Sequence, residues 1–326
     1  MATYKGINGF AVQSVASDPS PLDEGQVWYN NATYAFKLAG FNAAAFSAGG
    51  NVNTTRSQVA SSQRGTQTAT IIFGGGSPSS AATESYNGTS WTSVNSLGTS
   101  RRQLGGAGVQ TAALAFGGFN DPGGRQSVTE SWNGTSWSPV NSLNAARNQM
   151  GNAGTQTAAL SFGGQPVTAQ TESWNGTSWT TVNSLNTART QLSGFGTQTA
   201  ALAFGGDQNA PPISNATESW NGTSWTTLPA TMNTARYQLG SFGSQGDGVT
   251  AGGSNGTAAV ASTELWNGST WTSNPTGLST ARLLFNGGMG TSTAGLIGPG
   301  DLGPANTNVT EEWNGAAVAT KTITTS

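Results

Sequence analysis

The sequence predicts an all-β fold: a six-bladed β-propeller with four antiparallel strands per blade and an N-terminal extension. Three observations carry that expectation. The phrase Thr-Glu-Ser-Trp-Asn-Gly-Thr-Ser-Trp stands intact at 129–137, 171–179 and 217–225, with near-copies elsewhere. Its first aromatic falls at Tyr86, Trp132, Trp174, Trp220, Trp266 and Trp313, in steps of 46, 42, 46, 46 and 47 residues. An arginine and, in all but the last unit, a glycine pair keep company with each copy. A period of about 40 to 50 residues marks an array of sheets, each packing on its neighbours because it cannot cover its own faces.

Each unit reads as four strands. After the arginine (Arg56, Arg102, Arg147, Arg189, Arg236, Arg282) comes a short Gly-rich stretch, as at 103–109 and 191–196, which suits an inner strand where backbones approach closely. The run Thr111-Ala-Ala-Leu-Ala-Phe116 is apolar on both faces, as a strand buried on both sides should be. The glycine pair follows at 74–75, 117–118, 163–164, 205–206 and 252–253. The outer strands, Thr-Glu-Ser-Trp and Thr-Ser-Trp-Thr, are joined by Asn-Gly, which takes positive φ at both central turn positions and so signals a hairpin. Closure of the ring protects the sheet ends. The fifth unit departs from the pattern, with Gly246-Asp-Gly-Val-Thr-Ala251 as its second strand. In the sixth, Leu296-Ile-Gly-Pro-Gly300 replaces the glycine pair, the second Trp is missing, and 320–325 alternates like a final strand.

Residues 56–326 therefore form the propeller and 1–55 a separate extension. The extension holds the hairpin-like Gly25-Gln-Val-Trp-Tyr-Asn-Asn-Ala-Thr-Tyr34 and an Ala-rich segment at 41–46. It either closes the ring or anchors the protein; six later units already supply six blades, which favours the anchor.

Charge is sparse, at 8% of residues where ordinary domains carry about 25%. Of the 26 charges, 12 are the recurrent arginines and Glu84, Glu130, Glu172, Glu218, Glu264 and Glu311, one of each per unit. Buried charges need partners and Arg bonds bidentately, so these pairs read as ion pairs within or between blades. The tryptophans, Trp132 with Trp137, Trp174 with Trp179 and Trp220 with Trp225, read as packing layers, and sugar stacking is the minority reading. Ten Asn-x-Ser/Thr matches occur; those at Asn31, Asn87, Asn133, Asn175, Asn215, Asn221 and Asn267 lie in hairpin-type segments or loops and read as turn chemistry, since glycosylation requires a secretory route. The N-terminus lacks an apolar signal region of about 7 to 15 residues, and no run nears the ~20 apolar residues of a membrane helix.

A glycine pair, an aromatic 11 to 15 residues later and a Trp five positions beyond resembles the kelch repeat, from Arg56 to about Trp313. The resemblance implies four-stranded propeller blades. The Gly-Gln-Val-Trp-Tyr-Asn phrase resembles segments of bacteriophage tail and virion proteins, which implies a particle component made in the host cytoplasm.

Catalysis finds little support. Histidine and cysteine are absent, removing the usual acid/base, any His triad and the favoured zinc and copper ligands. Copper-radical oxidases that share the kelch fold need such ligands. A carboxylate-pair glycosidase stays open on Asp121, Asp207, Asp247 and Asp301. No cofactor or metal is expected, although loop oxygens near Asp121 or Asp207 leave a calcium ion open. With three lysines and net charge −2 the footprint of nucleic-acid binding is missing.

Recognition is expected in the loop after each glycine pair, which differs most between units and emerges on one face. The two longest and most polar place Asp121, Arg125, Asp207, Gln208 and Asn209 as ligand contacts, against the alternative of merely tolerated surface loops. The expected function is a non-enzymatic virion structural protein of the tail or fibre. Its extension would dock to other virion proteins and its face would meet a host-surface glycan or protein, without membrane insertion and with homo-oligomerisation left open. Capsid decoration or connection, a soluble bacterial kelch interaction module and a glycan hydrolase are the alternatives.

Overall fold

The computed structural model describes residues 12–208, 213–303 and 305–323. Every regular element among them is a β-strand. The chain divides into two units, 46–314 and a smaller one made of 1–45 with 315–326.

The larger unit is a β-propeller of six four-stranded sheets, blades I to VI in chain order. Blade II shows the pattern, running from Gly105–Val109 to Ala112–Phe116, then Thr129–Trp132 and finally Trp137–Val140. Each strand pairs antiparallel with the next, Phe116 opposite Gly105 and Thr129. The innermost strands meet around the axis, where neighbouring backbones approach closely. A Cβ on Gly106 would lie 2.2 Å from the Ser61 carbonyl of blade I.

Outer strands close over four residues rather than a two-residue turn. Trp132 pairs with Trp137, and Asn133 Oδ1 accepts the backbone N–H groups of Thr135 and Ser136, each at 2.9 Å. Only the glycine has positive φ, with Gly134 at 91°. Asn87, Asn175, Asn221 and Asn267 cap their loops in the same way. Turn chemistry thus explains five of the Asn-x-Ser/Thr matches so read.

Neighbouring blades are joined by a repeating set of bonds. The second Trp donates to the Thr that opens the third strand of the preceding blade: Trp137 to Thr83, Trp179 to Thr129, Trp225 to Thr171 and Trp271 to Thr217, all at 3.0 Å. The first Trp is buried and donates to a turn carbonyl of its own blade, as Trp174 does to Gln156 at 2.9 Å. In the turn after each inner strand, Gln110, Gln156, Gln198 and Gln245 reach back to the preceding blade's third strand. Both tryptophans are packing and bonding elements, as their periodic placement predicts.

Ring closure differs from expectation. The fourth strand of blade VI is Ala45–Ala48, from before the first blade, added to the outer side of Glu311–Asn314. The segment 320–325, read from sequence as the blade's last strand, is not part of the ring: its first three residues belong to Ala317–Thr322, which pairs with Ala35–Asn42 in the smaller unit, and residues 324 and 325 of that expectation lie outside the described residues. The boundary expected at 55/56 is displaced accordingly, because residues 46–55 complete the ring and the chain end leaves it. Phe46 takes the place of the missing second Trp, its ring centroid 4.9 Å from that of Trp313. Phenylalanine has no N–H to give, and the buried Thr263 hydroxyl of blade V is left without a partner. Phe46→Trp should supply that bond and stabilise the protein by about 0.5 to 1.5 kcal/mol. Chemical denaturation reads this directly; an unchanged or lowered midpoint would mean that the site cannot take the larger ring.

In the smaller unit Gln13–Val15, Val27–Asn30, Ala35–Asn42 and Ala317–Thr322 form one sheet, the first pair parallel and the rest antiparallel. The Gly-Gln-Val-Trp-Tyr-Asn phrase supplies its second strand. Trp28 is buried, and its Nε1 shares Asp18 Oδ1 with Asn30 Nδ2, at 3.0 and 2.7 Å. Asn30, not the glycosylation-like Asn31, caps the hairpin loop through Ala32 and Thr33.

Candidate recognition face

The blade's own connectivity builds this face. The connector entering each inner strand and the loop from second to third strand lie at the same end of the blade, since Gly105 pairs with Phe116. A bridge ties the two segments in five blades, at Arg102 with Phe119, Asn148 with Gln165, Thr190 with Asp207, Tyr237 with Ser254 and Leu283 with Asp301. Around the axis, glutamines with φ from 55° to 59° link blade to blade: Gln103 N–H donates to Gln58 O, Gln149 to Gln103, Gln191 to Gln149 and Gln238 to Gln191, at 2.8 to 2.9 Å. The six loops therefore emerge together beside this backbone ring, as the repeat predicts.

Beneath the face lie the recurrent charges. Arg189 Nη2 meets Glu218 Oε1 at 2.8 Å, its Nη1 donates to the carbonyls of Gly205 and Ala216 at 2.9 and 3.0 Å, and Glu218 Oε2 accepts the Asn186 N–H at 2.7 Å. Arg147 does the same with Glu172, and Arg236 with Glu264. These pairs are buried and intra-blade, pinning the connector to the third strand. Burial pushes the guanidinium pKa values down, opposed by the glutamate beside each.

Blade II corrects the sequence reading. Arg101, not Arg102, occupies the structural position, 2.8 Å from Glu130 and bonded to the Gly117 carbonyl. The spacing sets this choice, since the arginine must sit 16 residues before the first glycine, as Arg147 does before Gly163 and Arg189 before Gly205. The phrase Arg-x-Gln, read at Arg56, Arg101, Arg147, Arg189 and Arg236, carries this signal in the sequence.

Arg102 is thereby released to the face. Its Nε and Nη2 bond both oxygens of Asp121 at 3.0 and 3.2 Å, Nη1 donates to Gln58 Oε1 of blade I at 3.0 Å, and its guanidinium stands 5.0 Å from the Phe119 ring centroid. Asp121 also accepts the Ser79 hydroxyl of blade I at 2.8 Å. The Arg102 hydrogen bond, then the Ser79 hydroxyl, hold its carboxyl below the usual carboxylate range. Asp121 thus fastens the loops of blades I and II together. Its loop forms a small ribbon, Phe119–Asn120 against Gly124–Arg125, which presents Arg125 to solvent.

In blade IV, Asp207 is half-buried at the bridge to Thr190, and Gln208 is exposed; Asn209 lies outside the described residues. Asp121 and Asp207 are not equivalent, as Asp207 occupies the bridge position of Phe119 and Asp121 stands two residues beyond it. Ser79, Gln58 and Arg102, which shape the blade I/II part of the face, were missed by loop-length reasoning. Among the described residues no three carboxylates gather as a metal site.

No protein-family model matches the chain, and no curated protein sequence does. The fold does have solved counterparts. A structure titled "Structure of YjhT" superposes with a TM-score of 0.67, covering 83% of this chain and 99% of that one at 13% identity. At that identity the likeness concerns the propeller alone.

Proposed function

We propose that this chain is a non-enzymatic recognition protein of a phage particle, tail- or fibre-associated, whose loop face meets a host-surface glycan or protein. The smaller unit, with its phage-like phrase, is the part that docks to other virion proteins. One observation carries the binding role: the repeated charges and tryptophans are engaged inside and between blades, while side chains that vary from blade to blade sit at one face. Arg125, Asp207 and Gln208 are the proposed contacts, and Asp121 positions the ribbon that bears Arg125. Low charge and abundant Asn, Thr and Ser favour a neutral polar ligand such as a glycan.

Immunogold labelling of purified particles with an antibody against the propeller tests the placement. Label at the tail or fibres is expected, label over the capsid would replace this reading by decoration, and unlabelled particles would remove the virion role. Binding of the purified chain to host cells, compared with Arg125→Ala/Gln208→Ala, tests the face; capture that is equal in both would displace the contacts.

A further inference from the structure

The opposite end of the propeller carries a second, independent feature. There the turns between first and second strands read Gly-Thr-Gln-Thr-Ala in blades III and IV, and Gly-Val-Gln-Thr-Ala in blade II. Three consecutive blades around the ring depart from this. Blade V has Gly243-Ser-Gln-Gly-Asp247, blade VI has Gly290-Thr-Ser-Thr-Ala294, and blade I carries a turn two residues longer, Gln63-Arg-Gly-Thr-Gln-Thr-Ala69. These altered turns converge on one pocket of about 250 Å³, whose polar lining comes from Arg64, Ser244, Asp247, Thr291, Ser292 and Thr293.

Blade I's longer turn reaches across the ring beside the pocket. Gln63 donates to the Gly194 carbonyl of blade IV, across the ring, at 2.5 Å. Arg64 Nη1 reaches Gly196 O at 3.2 Å, which fixes the guanidinium while the side chain stays exposed. Opposite, Asp247 accepts one hydroxyl on each oxygen, from Ser244 and from Ser292. Each carboxylate oxygen keeps a further acceptor site, and Arg64 Nε and Nη2 have no protein partner among the described residues. Arg64 and Asp247 form no ion pair. The Ser292–Asp247 bond does substitute for the glutamine tie absent between blades V and VI. That tie does not call for the inserted arginine or the ring of hydroxyls.

We infer that this pocket binds one neutral hexopyranose unit of a glycan, its vicinal hydroxyls donating to Asp247 and accepting from Arg64, with Ser and Thr hydroxyls completing the shell. The formal charges of the lining cancel, which disfavours an anion, and fixed donors and acceptors facing each other across a small polar pocket match a polyol. The inference rests on the glycan reading above and places a sugar subsite at the end of the ring away from the loop face.

Saturation-transfer NMR of the full chain with methyl glycosides of glucose, galactose, mannose and N-acetylglucosamine tests it, with glycine as a zwitterionic control. At least one glycoside should bind, and both Arg64→Met and Asp247→Asn should weaken it about tenfold or more, with an unchanged melting temperature. The asparagine keeps the acceptor for Ser292, so the blade V/VI tie survives. No transfer to any glycoside, transfer to glycine alone, or binding indifferent to both variants would overturn the subsite. Host-cell capture by the same two variants separates the two ideas: cells captured by the wild type and both variants, without glycoside binding, would leave the loop-face reading standing and remove this one, whereas glycoside binding without capture would do the reverse.

Discussion

Replacing Arg189 by Met is expected to destabilise the protein by about 3 to 5 kcal/mol, as removal of one member of a buried ion pair does. The side chain is fully buried, and three acceptors depend on it: Glu218 Oε1 and the carbonyls of Gly205 and Ala216. Methionine fills much of the volume and satisfies none of them. Adding Glu218→Gln removes the stranded charge and should restore part of the loss, though the two carbonyls remain unpaired. Urea unfolding of the single and double variants supplies the comparison. A loss below about 1 kcal/mol for Arg189→Met would mean that water reaches the connector and that the pair is not buried in solution. Arg102→Met, by contrast, removes a guanidinium whose side chain is one-fifth exposed, and should cost far less. That contrast tests the assignment of Arg101 rather than Arg102 to the structural position.

How much of this was legible in the sequence depends on whether a feature repeats. The period, the strand order, the common end of the six loops and the packing role of Trp132, Trp174 and Trp220 follow from six near-copies, because the same environment recurs. Ring closure does not repeat. Ala45-Phe-Ser-Ala48 has neither the Thr-Glu-Ser-Trp phrase nor a partner nearby, and its pairing with Glu311–Asn314 spans almost the whole chain. Asp121 looked like a free loop carboxylate because its partners, Arg102 and Ser79, come from other segments. Arg101 and Arg102 are adjacent, and only the distance to Gly117 decides between them.

The second large effect lies where two blades exchange volume. In the inner strands of blades II and III the third position is Ala107 or Ala153, packed in the same cluster as Ala159 or Ala201 of the following blade. At the next seam Phe195 of blade IV faces Gly248, where a Cβ would stand 2.3 Å from the ring. The glycine is therefore a consequence of the phenylalanine, and Gly295 stands to Phe242 in the same way, at 2.4 Å. Phe195→Ala should leave a cavity and cost about 3 to 5 kcal/mol. Gly248→Ala in the native background forces the ring out of place and should cost about 1 to 3 kcal/mol. The double variant recreates the Ala–Ala arrangement of the preceding seams, so its loss should fall short of the summed single losses by about 1 to 3 kcal/mol. Additive losses would show that the two residues do not share this space, and would leave the departure of blade V from the alanine-rich pattern without a packing cause.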